Sequence, residues 1–268
     1  MEALLIPGPN RSLWPFAFVY FIAVCVLFVV VSFALGLLGI DLQSTTALAV
    51  GMVLSAVVLI GLALGMARFV FDSPRDALRL VPATLQDTLA ACAGIAGLGI
   101  AVDSLLALLA RAFPSAFDDA TMRIIFDAFA NTTPTEAVVL TLCISLCPGI
   151  AEELGFRGFI LRCLEKDMSV PVAVLISSLL FGVLHFNVLQ GVGASLLGVY
   201  LGFVTWRTGS VVPAMAAHAA NNFLSSVHAL QYVQGDPLFE PRPWWMTAAG
   251  LLVAIVALMR LGRRRPGV

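Results

Sequence analysis

Apolar stretches longer than a bilayer is thick recur along the chain, and they leave one kind of fold open. The first spans about 13–40 and the second about 45–71. Each exceeds the ~20 apolar residues with which a helix crosses a hydrocarbon core. Further stretches follow at about 85–110, 134–166, 170–187, 188–208, 211–233 and 244–260. Backbone polar groups in lipid must be bonded within their own segment, so each stretch is read as a helix. The expected fold is all-α: a polytopic membrane helix bundle of about eight transmembrane helices, built as one integral-membrane domain over 1–268 without internal repeats.

Composition agrees. Hydrophobic residues make up 60% of the chain and charged residues 12%, a balance that a soluble domain of this length does not show. There is no basic patch with interleaved aromatics, so nucleic acid is not an expected partner, whereas membrane lipids are. The first stretch is too long for a signal-peptide core and lacks a small-residue cleavage site, which predicts a retained span. Cys25, Cys92, Cys143, Cys147 and Cys163 are odd in number and scattered through apolar helices, which is no disulfide framework. Counting alternate connections as cytoplasmic collects Arg11, Arg68, Arg75, Arg79, Arg157, Arg162, Lys166, Arg207, Arg260 and Arg263–Arg265 on one side. Only Arg111, Arg123 and Arg242 fall on the other, so both termini are expected in the cytoplasm of a multi-pass cell-membrane protein.

Local signals refine the elements. Ser73-Pro74-Arg75-Asp76 has the order of an N-cap, a first-position proline and an acid, which predicts a short interfacial helix. Thr133-Pro134-Thr135-Glu136 is a capping box that should start the fourth span. Gly61 and Gly65, and Ala194, Gly198 and Gly202, stand at the four-residue spacing that lets helices approach closely. Met122, Ile125, Phe126 and Phe129 share a face opposite Asp119, Arg123 and Asp127, as an amphipathic surface helix would. Asp103, near the end of the third span, reads as an interfacial or hydrogen-bonded structural acid, and His228 as interfacial.

Against this apolar background, residues 150–159 place Glu152, Glu153 and Arg157 within one short stretch. Each such charge costs at least ~2.5 kcal/mol near a helix centre, so an intramembrane cluster marks a functional site by default. Glu153 and Arg157 stand four residues apart on one helix face and can neutralise each other. Glu152, rotated by about 100°, is left without a local partner and is the candidate base. Pro148, one turn upstream, removes a backbone bond and frees the carbonyl of Ile144. Downstream, Phe181 and His185 share a face of the fifth span, and His218 and Asn222 a face of the seventh. A base, two imidazoles and a carboxamide are the parts that amide hydrolysis requires. Counting ~1.5 Å per residue puts His218 about 12 Å and His185 about 24 Å from the cytoplasmic ends, a mismatch that straight helices of equal tilt would not remove.

The set E-E-x-x-x-R at Glu152, Glu153 and Arg157, F-x-x-x-H at Phe181 and His185, and H-x-x-x-N at His218 and Asn222 resembles the CAAX prenyl protease type II and bacteriocin-processing (CPBP, or Abi) family. The resemblance covers about 135–225, the expected catalytic core. It implies an intramembrane endopeptidase acting on a membrane-tethered or lipidated protein or peptide. In that family's pattern Glu152 activates water; His185, His218 and Asn222 stabilise the oxyanion; and Glu153, Arg157 and Phe181 support them. By resemblance no cofactor is expected. Two alternatives stand beside this: a zinc hydrolase, with Glu152, His185 and His218 as a His₂Glu ligand set, and a non-catalytic scaffold, immunity protein or transporter.

Overall fold

The computed structural model describes residues 12–37, 44–114, 127–130, 132–233 and 242–263. Among them every regular element is helical. The long helices are α1 (Trp14–Leu37), α2 (Thr45–Val70), α4 (Leu85–Ala112), α5 (Pro134–Glu165), α6 (Val170–Val183), α7 (Val188–Thr208), α8 (Val212–Val233) and α9 (Trp244–Gly262), with α3 (Pro74–Ala77) as a single turn. Six of these are long and apolar enough to cross a membrane. Of the other two long helices, α6 has only 14 residues, and α8 is long enough but carries the polar residues of the site. The structure is the polytopic helical membrane bundle expected.

The caps that start the helices are those legible in the sequence. Thr133 and Glu136 bond reciprocally as a capping box at the head of α5. The Thr84 hydroxyl accepts from Asp87 N at the head of α4, and the Asn187 side-chain Oδ1 accepts from Gln190 N at the head of α7. Gly209, at φ +67°, ends α7 in the left-handed region that glycine enters freely. The helix predicted at Ser73 is there, but it ends after one turn at Ala77.

One end of the bundle is tied together by polar contacts between segments far apart in sequence. Arg79 Nη2 donates to Glu165 Oε2 at 2.5 Å, and Arg79 O accepts from Val211 N at 3.0 Å. Ser210 Oγ donates to Val81 O at 2.6 Å. Asp167 Oδ2 accepts from the backbone of both Leu13, at 2.6 Å, and Trp14, at 2.8 Å. A carboxylate 153 residues downstream thereby caps the first turn of α1. Arg207 donates to the carbonyls of Leu261 and Gly262, and Arg260 to Gln86 Oε1. Because the connections α2–α4, α5–α6 and α7–α8 and both described chain ends meet here, the number of traverses is even.

Some expectations are corrected or fall outside the described residues. Among the described residues, nothing lies within 4 Å of a Cβ added to Gly61 or Gly65, so their face of α2 makes no close contact with a described helix. The expected close face on α7 is real at both glycines: Gly198 meets Ser178 and Arg157, and Gly202 meets Val174, while Ala194 is buried in the core. The fifth span was expected to reach Asn187, but its helix ends at Val183, and Leu184 and His185 form a turn. Most of the expected surface helix at 119–129 lies outside the described residues; within 127–130, Phe129 is buried and Asp127 exposed as its pattern requires. Arg11, Arg264 and Arg265 also lie outside.

Candidate active site

α5 carries the charged cluster, and its backbone changes winding there. From Pro134 to Glu153 it is α-helical, from Leu154 to Ile160 it winds as a π-helix, and Leu161–Glu165 is α-helical again. Such wide turns are rare and concentrate at functional sites. The whole π segment is buried, packed on α1, α2 and α6. The expected ion pair is formed: Arg157 Nη1 donates to Glu153 Oε1 at 2.8 Å, with both side chains fully buried. Above the guanidinium lies the Phe181 ring, 4.4 Å from Arg157 Cζ to the ring centroid, a cation–π contact that strengthens when desolvated. Beneath it, Gly198 leaves the space: a Cβ there would stand 2.8 Å from Arg157 Nη2.

Sequence spacing does not reveal the second partner of Glu153. His218 Nδ1 lies 2.8 Å from the same Oε1 that Arg157 engages. A carboxylate oxygen accepts, so Nδ1 carries the proton. The opposite nitrogen, Nε2, then faces Glu152 Oε2 at 4.0 Å. That separation is too long for a direct hydrogen bond and suits one water bonded to both. Glu152 keeps 16% of its side chain exposed, whereas Glu153 keeps none. The two adjacent glutamates thus have opposite environments: Glu153 is locked between arginine and histidine, and Glu152 is the accessible one.

His185 reaches the same neighbourhood through Phe181. Its Nδ1 is 2.9 Å from Phe181 O, and a carbonyl also only accepts, so this ring too carries its proton on Nδ1. The Phe181 ring stands edge-on to both imidazoles, with centroids 5.1 Å from His185 and 5.7 Å from His218. One phenylalanine therefore spaces both histidines and covers the arginine. Both histidines thus lie against one ring, although the count from the sequence places them at different depths. With Nδ1–H committed in each ring, Nε2 of the neutral imidazole accepts a hydrogen bond, and only in the protonated ring does it donate one.

Asn222 sits one turn beyond His218, and its Nδ2 donates to Ile144 O at 3.2 Å. This is the carbonyl that Pro148 deprives of its helical partner. α5 and α8 approach closely between these contacts, where a Cβ on Gly149 would stand 2.9 Å from Ala219 N. Asp103 lies on α4 with an exposed side chain, and α4 supplies none of the charged residues of the site. His228 is half-buried. All five cysteines are free thiols. Among the described residues, no three His, Cys, Asp or Glu side chains converge closely enough to hold a metal ion. Glu153 Oε2 and Arg157 Nε and Nη2 are buried with no protein hydrogen-bond partner among the described residues, polar capacity of the kind that ordered water fills.

Comparison with known proteins agrees with the motifs. The family model "Type II CAAX prenyl endopeptidase Rce1-like" matches residues 134–224, which hold α5 to α8 up to the turn beyond Asn222. The chain is 37% identical over 130 residues to the uncharacterized protein YyaK of Bacillus subtilis (strain 168), an alignment covering 40% of this chain and 43% of that protein. It thus spans less than half the length of that curated relative. No solved structure matches the chain.

Proposed function

We propose, from the type II CAAX prenyl endopeptidase match over residues 134–224, that the chain is an intramembrane endopeptidase using water activated by Glu152. The observation that carries this reading is the facing of Glu152 Oε2 and His218 Nε2 across 4.0 Å, the one accessible carboxylate in a buried charged cluster. Water in that gap gives a proton to Glu152, and its oxygen attacks the scissile carbonyl carbon. The oxyanion that forms accepts hydrogen bonds from a protonated His185 or His218 Nε2 and from the second Nδ2 hydrogen of Asn222. As the C–N bond breaks, Glu152 passes its proton to the departing amine. Glu153 and Arg157 form the buried support that fixes the His218 ring.

The substrate class that fits is a membrane-tethered or lipidated protein or peptide, because the site lies among membrane-length helices and the matching family model is that of a CAAX prenyl endopeptidase. We place both chain ends on the cytoplasmic side of the cell membrane, because Arg79, Arg207 and Arg260 meet at the end of the bundle where the described chain begins and stops. By resemblance to the family, no step of this reading is routed through a metal. The test is cleavage of a farnesylated CAAX-type peptide, and of its unprenylated twin, by the purified full chain and by Glu152→Ala. Both proteins are also assayed after chelation and after zinc is added back. Activity absent from the variant and retained through chelation is the expected result. Loss on chelation reversed by zinc overturns the metal-free mechanism, and equal cleavage by variant and wild type overturns the role of Glu152. No cleavage of any membrane-tethered substrate leaves the scaffold reading in its place.

A further inference from the structure

Pro148 is a costly residue to keep inside a membrane helix. It removes the amide proton that would bond Ile144 O, and a buried carbonyl left unpaired in lipid is expensive. The repair comes from α8, through Asn222 Nδ2 at 3.2 Å.

The position of that bond gives it a consequence. His218 and Asn222 lie one turn apart on the same face of α8, and each bonds to α5: His218 to Glu153, Asn222 to Ile144. Between them the two backbones are nearly in contact at Gly149 and Ala219. Asn222 O in turn accepts from Ser226 Oγ at 2.9 Å, continuing the polar ladder along α8. Two bonds on either side of a close backbone contact fix how far one helix can slide along the other. Sliding α8 by a fraction of a turn would break both, and would separate His218 Nε2 from Glu152.

We infer that Pro148 and Asn222 are positioning residues that together form a register lock: the proline exposes Ile144 O so that Asn222 must bond it, and this sets His218 against Glu153 and Glu152. The lock itself does not depend on the peptidase reading; only its value to catalysis rests on that reading. It gives Asn222 a task that is separable from donating to an oxyanion. If Asn222 serves only the oxyanion, the residue at 148 is irrelevant to it. If it serves the lock, an alanine at 148 restores the N–H that Ile144 O lacks, and Asn222 becomes dispensable for alignment.

The experiment is a double-mutant cycle on the purified full chain in detergent micelles: wild type, Asn222→Ala, Pro148→Ala and the double variant. Two readouts are taken, the unfolding midpoint and the ¹⁵N-histidine NMR signal of His218 Nδ1–H, identified by comparison with His185→Gln and His228→Gln proteins. Asn222→Ala should lower the midpoint by roughly 2–8 °C and move the His218 signal upfield as its bond to Glu153 lengthens. In the Pro148→Ala background the same substitution should change neither. An unmoved His218 signal in folded Asn222→Ala, or equal losses in both backgrounds, overturns the lock. If Asn222→Ala cannot be recovered folded, recovery of the double variant supports the lock, and recovery of neither overturns it. Neither readout needs cleavage, so a failure of the peptidase assignment and a failure of the lock are seen separately.

Discussion

Removing both members of the buried Glu153–Arg157 pair should harm the fold less than removing Glu153 alone. The two side chains are fully buried and bonded at 2.8 Å. Glu153→Leu leaves the guanidinium without its counter-charge, a loss of about 3–5 kcal/mol for a broken buried pair. It also takes the acceptor from His218 Nδ1, a charge-assisted bond of roughly 1.5–3 kcal/mol. Arg157→Leu leaves the carboxylate with His218 and costs about 3–5 kcal/mol, including its contact with the Phe181 ring. Were these contributions independent, the double variant would lose around 7–13 kcal/mol, comparable to the whole stability of a typical domain. With the charges gone together, what is lost is the acceptor for His218 and the ring contact, about 2–5 kcal/mol. The assay is reversible unfolding in mixed micelles, titrated with a denaturing detergent and followed by far-ultraviolet circular dichroism. A double variant no more stable than Glu153→Leu would refute the pairing argument.

Gly198→Ala pushes a methyl to 2.8 Å from Arg157 Nη2 and 3.1 Å from Ser178 Cβ. It should cost about 1–3 kcal/mol, seen as a lowered thermal midpoint, and should slow cleavage more than Gly61→Ala, whose Cβ meets no described residue. Asp167→Ala frees the Leu13 and Trp14 amides that its carboxylate binds. About 1 kcal/mol of capping is lost, and hydrogen exchange should quicken at the first turn of α1 and not in α5. Phe181→Ala removes the ring that touches both imidazoles and the guanidinium. It should lower the rate of cleavage at saturating peptide and destabilise by about 3–5 kcal/mol, measured by the same unfolding titration.

The helices and the local pairs were legible because they depend on spacing alone. Length and hydropathy locate the spans, the Thr133 capping box starts α5, and a four-residue interval joins Glu153 to Arg157. The orphan carbonyl of Ile144 was legible too, since a proline always frees the group four residues back. The group that binds it was not: Asn222 is 78 residues away, and periodicity carries no information on which face of one helix meets which face of another. For the same reason His218 read as an open oxyanion group, although its Nδ1 belongs to Glu153. The π turn of α5 and the early end of α6 also escaped, because both are set by packing against neighbours rather than by composition. Two glycines spaced for packing at Gly61 and Gly65 meet no described helix, which shows how weak that spacing is without a partner helix.

The brevity of α6 reaches beyond the protein to the lipid around it. Fourteen residues rise only about 21 Å, against a hydrocarbon core of about 30 Å. The turn that follows holds His185, then Phe186 in a left-handed conformation at φ +50°, exposed, and Asn187. Lipid beside α6 therefore meets polar backbone where acyl chains would ordinarily continue, and it must thin or admit water to reach that turn. Bilayer thickness thus becomes a setting on the site: short-chain lipids match α6 and bring the aqueous phase towards His185, whereas long-chain lipids strain the match and tend to dry the approach to it.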